Sequence, residues 1–245
     1  MRFIHLKTLA LLLITQQLHA QQNDPSSVFV DSAQMQAIRV YHAATGSNAR
    51  IYTGMLQSNY SQQIEGRPYF DTSIYVPANI TYCNLRYEHI PVLYDMYAQT
   101  LVTLLPSNIG VQLQPDKTTA FDIGRYRFIR LDSGNNFLPA AAPGFYEILH
   151  EGRQLSAYAH RRVVIDERIT DRVERKFVVA DKYYIRKNGQ TQSFGSWRGL
   201  QKMLGLQRSK VRRRFRETGI DPKLKPDLAI RALLSYYDDQ NPATP

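Results

Sequence analysis

The sequence predicts an α+β protein, a mainly antiparallel β body followed by a small C-terminal helical segment. Three observations carry this. From Arg50 to Phe194, Tyr, Phe and β-branched residues recur in short runs bounded by Gly, Pro, Asn and Asp, which is how short strands read. Asn188-Gly189 between two such runs is the best hairpin signal, because both turn positions tolerate positive φ. After Phe194 the apolar period lengthens from that of a strand to that of a helix.

Taken in order, residues 1–20 read as a secretory signal peptide. Arg2 and Lys7 form a positive start, Leu9–Ile14 an apolar middle, and Leu18-His19-Ala20 a small-residue cleavage site. The apolar run is too short for a membrane helix, which needs about 20 residues, so no span is expected in the mature chain. Residues 21–44 are expected to be an N-terminal segment, partly disordered, with Val28–Ala44 either a short helix or a first strand. Residues 45–195 form the expected β body. Its runs are Ile51-Tyr52, Pro68–Asp71, Ser73–Val76, Ile80–Tyr87, Pro91–Tyr97, Leu101–Leu105, Val111–Leu113, Thr118–Ile123 and Arg125–Leu131. A turn at Asp132–Asn136 and a Pro-containing loop at Leu138–Gly144 follow.

Phe145–His150 and Gln154–Arg161 read as a hairpin. Simple alternation puts Phe145, Glu147 and Leu149 on one face and Tyr146, Ile148 and His150 on the other. The charged segment 162–176 fits a weak helical face through Ile165, Ile169 and Val173, and fits a loop or protruding ribbon nearly as well. Phe177–Arg186 returns to strand character, and Gln190–Phe194 pairs back across Asn188-Gly189.

Residues 196–240 are expected to be basic helices packed on the body. Ser196 caps the first, which carries Leu200, Met203 and Leu204 on one face and stops at Gly205. Ser209 is the expected cap of the second, which has Val211 and Phe215 one turn apart and Gly219 as its stop. Pro226 suits the first turn of the third, where its missing N–H costs nothing; Ile230, Leu233, Leu234 and Tyr237 form its apolar face.

Charge is concentrated in one place. The chain carries +10 overall, and Tyr183–Glu217 holds ten Lys/Arg against one acid. Beyond residue 20, everything outside that stretch sums to −1. Lys210, Arg212, Arg213, Arg214 and Arg216 on the second helix are therefore the candidate anion-contact residues.

Several short pieces come in a telling order: Tyr52-Thr53-Gly54, Gly66–Phe70, Leu93-Tyr94-Asp95, Gly144–Glu147, Leu149–Arg153 before a charged segment, Asp181–Ile185 and Tyr236-Tyr237-Asp238. In this order the chain resembles an uncharacterised family of exported bacterial proteins. The resemblance covers most of the chain beyond residue 20. It implies a signal peptide, an antiparallel β body and a short helical C-terminus, with no assigned activity. The Arg212-Arg213-Arg214 run is more basic than the resemblance implies.

Motifs for chemistry are sparse. Glu147–His150 has the E-x-x-H form of helical di-metal sites, but in one copy and on a strand pattern. His150 and His160 lie on opposite arms of the expected hairpin. The other histidines beyond residue 20 are His42 and His89, and no H-x-x-H pair occurs, so no metal is expected. Cys83, the only cysteine, excludes an intrachain disulfide and reads as a small apolar residue; with His89, six residues on in one strand-like segment, it could form a nucleophile and base only across an intervening bend. No nucleophile elbow, Walker A loop or dinucleotide-binding loop is present, so neither a catalytic residue nor a cofactor is assigned. Asp95, Asp122, Glu147 and Glu151 are the carboxylates available for a glycosidase-like pair. The 16 Tyr residues suit a sheet at least as well as a sugar platform.

The expected function is that of an exported, envelope-associated protein, periplasmic, outer-membrane-associated or extracellular. Its role is non-enzymatic binding of an anionic envelope component, either lipid head groups or acidic polysaccharide. The alternatives are an exported hydrolase acting on polysaccharide and a nucleic-acid binder using the basic helices. Export itself counts against the last.

Overall fold

The computed structural model describes residues 50–105, 107–132 and 142–240. The expected signal peptide, the segment to residue 44, Ser133–Asn136 and most of the Pro-containing loop lie outside them.

The strands are β1 (Met55–Leu56), β2 (Ile64–Glu65), β3 (Val76–Tyr82), β4 (Leu85–Asp95), β5 (Thr100–Leu104), β6 (Gly110–Gln112), β7 (Thr118–Ile123), β8 (Tyr126–Leu131), β9 (Gly144–Glu151), β10 (Leu155–His160), β11 (Val163–Ile169), β12 (Val173–Val179), β13 (Lys182–Lys187) and β14 (Gln190–Phe194). The helices are α1 (Trp197–Met203), α2 (Arg208–Glu217) and α3 (Pro226–Gln240). The fold is α+β, with a mainly antiparallel body. Eleven strands make one sheet in the order β1-β6-β5-β4-β3-β7-β8-β9-β10-β13-β14, and β11, β12 and β2 make a second. In the first sheet every pairing is antiparallel; in the second, β12 and β2 run parallel.

Several expected boundaries move. Ile80–Tyr87 is not one strand but the tip of the β3–β4 hairpin. Cys83 and Asn84 turn it with φ of 50° and 61°, the doubly left-handed turn that matches strand twist. Ile51-Tyr52 belongs to a short 3-10 turn. Pro77 lies inside β3, opposite Pro91 of β4. The pairings with β7 and β5 begin only at Ala78 and Val92, so neither proline has to donate to an outer neighbour.

Segment 162–176 lies in a protruding ribbon, the β11–β12 hairpin. Its arms pair from Val163↔Val179 to Ile169↔Val173, and Arg175 reaches Glu167 across them at 2.6 Å. The Asn188-Gly189 hairpin forms as expected, with both residues at positive φ. Ser196 caps α1 by accepting from the Gly199 N–H at 3.3 Å. In α1 Leu200 and Leu204 are buried while Met203 is exposed. For α2 the N-cap is Gln207 rather than Ser209, with no side-chain cap bond. Its buried residues are Val211 and Phe215, and Gly219 beyond its end has a φ of 64°.

Burial divides into distinct clusters. A body cluster is rich in rings, with Tyr94, Phe121, Phe128 and Phe145 in mutual contact. A second cluster joins Leu149, Leu155, Ala157, Ala159 and Ile185 of the sheet to Leu200, Val211, Phe215, Ile230, Leu233 and Leu234 of the helices. Tyr146, Tyr158 and Tyr184 belong to a third. Phe145 thus belongs to the body cluster and Leu149 to the helical one, with Glu147 between them along β9.

The β9–β10 register adds a correction. Ala157 faces His150 and Tyr158 faces Ile148, which leaves Leu149 as the extra residue of a bulge. The bulge breaks simple alternation. His150 turns to the helical side instead of joining Tyr146 and Ile148, and its Nε2 meets Asp238 of α3 at 2.6 Å.

Candidate anion-binding groove

α3 is fixed to the sheet by a buried charge network as well as by apolar packing, and α1 and α2 join it in the same apolar cluster. Arg161, at the end of β10, donates from Nε to Glu147 at 2.5 Å, from Nη1 to Asp181 at 2.6 Å and from Nη2 to Asp227 at 2.8 Å. Arg231 of α3 pairs with the other oxygen of Glu147 and donates to the Leu149 carbonyl at 2.6 Å. Asp227 also accepts from the Tyr183 hydroxyl at 2.8 Å. Asp227, Arg231 and Asp238 are spaced four and seven apart, which puts all three on the sheet-facing side of α3. Burial opposes the charge on Arg161, but Glu147, Asp227 and Asp181 outweigh it and hold the guanidinium protonated. Burial raises the Glu147 carboxyl, against the pull of Arg161 and Arg231.

The buried Leu200 and Leu204 of the α1 segment and Val211 and Phe215 of α2 set what these helices present outward. Arg208, Arg212 and Arg216 recur every four residues along one flank of α2. Two adjoining hollows share Trp197, Arg198 and Arg212. The larger, about 890 Å³, is completed by Phe215, Ile220 and Pro222 together with Arg216, Lys223 and Asp221. The smaller, about 500 Å³, adds Lys202 and Arg208. Trp197 packs edge-on against Phe215 at 5.3 Å, and the Arg198 guanidinium lies 4.7 Å from the indole centre. Among the described residues Arg198, Arg208, Arg212 and Arg216 have no carboxylate partner. The result is an apolar floor with a cationic rim, open to solvent.

The five sequence candidates therefore divide. Arg212 and Arg216 line this groove. Lys210, Arg213 and Arg214 lie on the opposite flank beside Glu217 and Asp239, in a separate hollow of about 390 Å³. There Arg213 pairs with Glu217 at 3.0 Å, and Arg214 is half-buried. Arg198, Lys202, Arg208 and Lys223 are groove cations outside the five sequence candidates. The signal for the first two was present in the four-residue spacing of Arg198 and Lys202 on α1; Lys223 is brought in only by the turn after α2.

The other constellations are dispersed. Glu147 is taken up by Arg161 and Arg231, and His150 by Asp238, so E-x-x-H makes no joint site. His160 pairs in register with Tyr146, far along the ladder from His150. Cys83 is in the β3–β4 turn, and His89 is exposed at a register shift in β4. Asp95 accepts from the Tyr60 hydroxyl at 2.7 Å and from the N–H groups of Tyr97 and Ala98. Asp122 stands in register with Arg127 across the β7–β8 ladder, and Glu151 meets Arg127 at the surface at 3.5 Å. Among the described residues no group of three or more His, Cys, Asp or Glu is placed to hold a metal ion. Likewise no helix there is long and apolar enough to cross a membrane.

Compared with family models, curated proteins and solved structures, the chain matches none of them.

Proposed function

We propose that this is an exported, envelope-associated binding protein, non-enzymatic, which meets an anionic component of the envelope through the α1–α2 surface. The observation that carries the reading is the groove itself. Arg198, Arg212 and Arg216 surround an apolar floor and have no carboxylate partners among the described residues. Cations left free on a rigidly docked scaffold suit an external anion better than they suit internal cohesion. The signal-peptide pattern and the resemblance to exported bacterial proteins support the compartment. The hydrolase alternative has no comparable support, since Asp95 and Glu147 are both committed to local partners.

The test is fractionation of the native host combined with in-cell cross-linking, comparing the unaltered chain with an Arg198→Gln/Arg212→Gln variant. Recovery with the envelope, and cross-links that the variant loses, are expected. Recovery in the cytoplasm would overturn the reading. Cross-linking to nucleic acid would replace it with the nucleic-acid alternative.

A further inference from the structure

The larger hollow has a composition that narrows its ligand. Its cations are arginines and one lysine, its floor is Trp197, Phe215, Ile220 and Pro222, and its single acid is Asp221. No side-chain amide or hydroxyl lines this hollow, while Ser196 and Gln201 line the smaller one beside it. Each ring hydroxyl of a polysaccharide both donates and accepts and must regain hydrogen bonds when it loses water, and Asp221 is the one acceptor side chain lining the larger hollow. A phosphate needs something different. The planar guanidinium fork offers paired N–H groups matched to phosphate oxygens.

The surroundings point the same way. Leu224, in the α2–α3 connection directly after the lining residue Lys223 and before Lys225, is 78% exposed. An aromatic ring at a polar–apolar boundary, arginines at the level of the charged groups and a protruding leucine between lysines is the arrangement that suits a bilayer interface.

We propose that this groove takes the phosphate-bearing head group of an anionic phospholipid. Arg198, Arg212 and Arg216 hold the phosphate, and Trp197 and Leu224 enter the interfacial layer. This rests on the envelope-binding reading and narrows it to lipid.

Trp197 is the only tryptophan in the chain, so its fluorescence reports the groove directly. The purified full chain is titrated with vesicles of phosphatidylcholine, with vesicles of an equimolar phosphatidylcholine–phosphatidylglycerol mixture, with glycerol phosphate and with polygalacturonate. Expected are a blue shift and co-sedimentation with the mixed vesicles alone. Arg198→Gln/Arg212→Gln should weaken that binding about thirtyfold, from a factor of about five for each basic residue near an anionic surface. Lys210→Gln/Arg213→Gln, on the other flank of α2, should weaken it by no more than about threefold. Unchanged circular dichroism shows that both variants fold. Equal losses in the two variants would overturn the proposal in favour of diffuse attraction. A response to glycerol phosphate matching that to vesicles would overturn the interfacial role of Trp197 and Leu224. Binding of polygalacturonate without vesicles would overturn the lipid assignment while leaving the envelope reading intact. A cytoplasmic location in fractionation would instead remove the envelope reading without altering the vesicle result.

Discussion

Arg161 and Glu147 meet at 2.5 Å with both side chains almost wholly out of solvent. Glu147 lies on β9 between Phe145 of the body cluster and Leu149 of the helical cluster. The pair therefore stands at the junction of the two cores and also reaches α3 through Asp227 and Arg231. Arg161→Met leaves Glu147 without its best-buried partner and removes the link from Asp181 to Asp227. The expected cost is about 3–5 kcal/mol in urea unfolding, the range for breaking one side of a buried ion pair. Adding Glu147→Met should return part of that loss, because the stranded charge goes with it. A cost below about 1 kcal/mol for the single variant would mean that the network contributes nothing beyond a surface pair.

His160 supplies a pH dependence with a definite sign. It stacks on Tyr146 at 4.5 Å, its Nε2 is 3.0 Å from the Gln99 side-chain oxygen, and its Nδ1 is buried without a hydrogen-bond partner among the described residues. Burial, with Arg162 and Lys182 adding to it, pushes its pKa from 6.5 down to about 4. The folded state thus binds this proton less readily than the unfolded state. Its contribution to stability is complete above pH ~6.5 and is lost as pH falls toward ~4. The full shift corresponds to about 3 kcal/mol. In urea titrations, the difference between the unaltered chain and His160→Asn should shrink across that window. A difference independent of pH would show that the imidazole does not titrate on unfolding.

How much of this was legible depended on how local each signal is. The Asn188-Gly189 turn, the Ser196 cap and Pro226 at the start of α3 are written in adjacent residues, and all three appear where the sequence puts them. The Cys83-Asn84 turn was concealed because cysteine is not a turn residue and the flanking strands alternate without interruption. Ile165, Ile169 and Val173 imitate a helical face only because a hairpin turn separates the last two. The arginine run was visible, but its division into flanks depends on where α1 and α3 lie. The Arg161 network was not visible at all, since its acids are 14, 20 and 66 residues away in sequence.

Gly152 is needed for the contact between the hairpin and α3. A Cβ there would overlap the Asp238 carboxylate and crowd His150 Nε2. Asp238 also accepts from the Gln154 N–H at 3.2 Å, so displacing it loosens the hairpin tip and the last turns of α3 together. Gly152→Ala is expected to cost about 1–3 kcal/mol, as overpacking against a fixed group does. Hydrogen exchange should localise the effect to Glu151–Gln154 and the end of α3. Asp238→Asn should produce the same pattern more weakly, because it keeps an acceptor and removes the clash-free charge. Exchange that rises evenly through the sheet instead would place the strain elsewhere.

Finally, α2 carries its charges at a cost to itself. Arg208, Arg212 and Arg216 repeat at four-residue spacing without carboxylate partners among the described residues, and like charges so placed repel by about 0.2–0.5 kcal/mol per pair. Arg212 takes part in both pairs. Arg212→Gln should therefore raise stability by about 0.5 kcal/mol at low ionic strength, offset only by whatever packing its aliphatic stem provides. The gain should vanish near 1 M salt, where screening acts within about 3 Å. The same substitution is expected to weaken contact with anionic vesicles. A substitution that improves the fold while impairing binding marks a residue kept for its partner. Were Arg212→Gln instead to destabilise the chain at every salt concentration, the arginine would be serving the fold, and the groove would lose its central cation as a binding group.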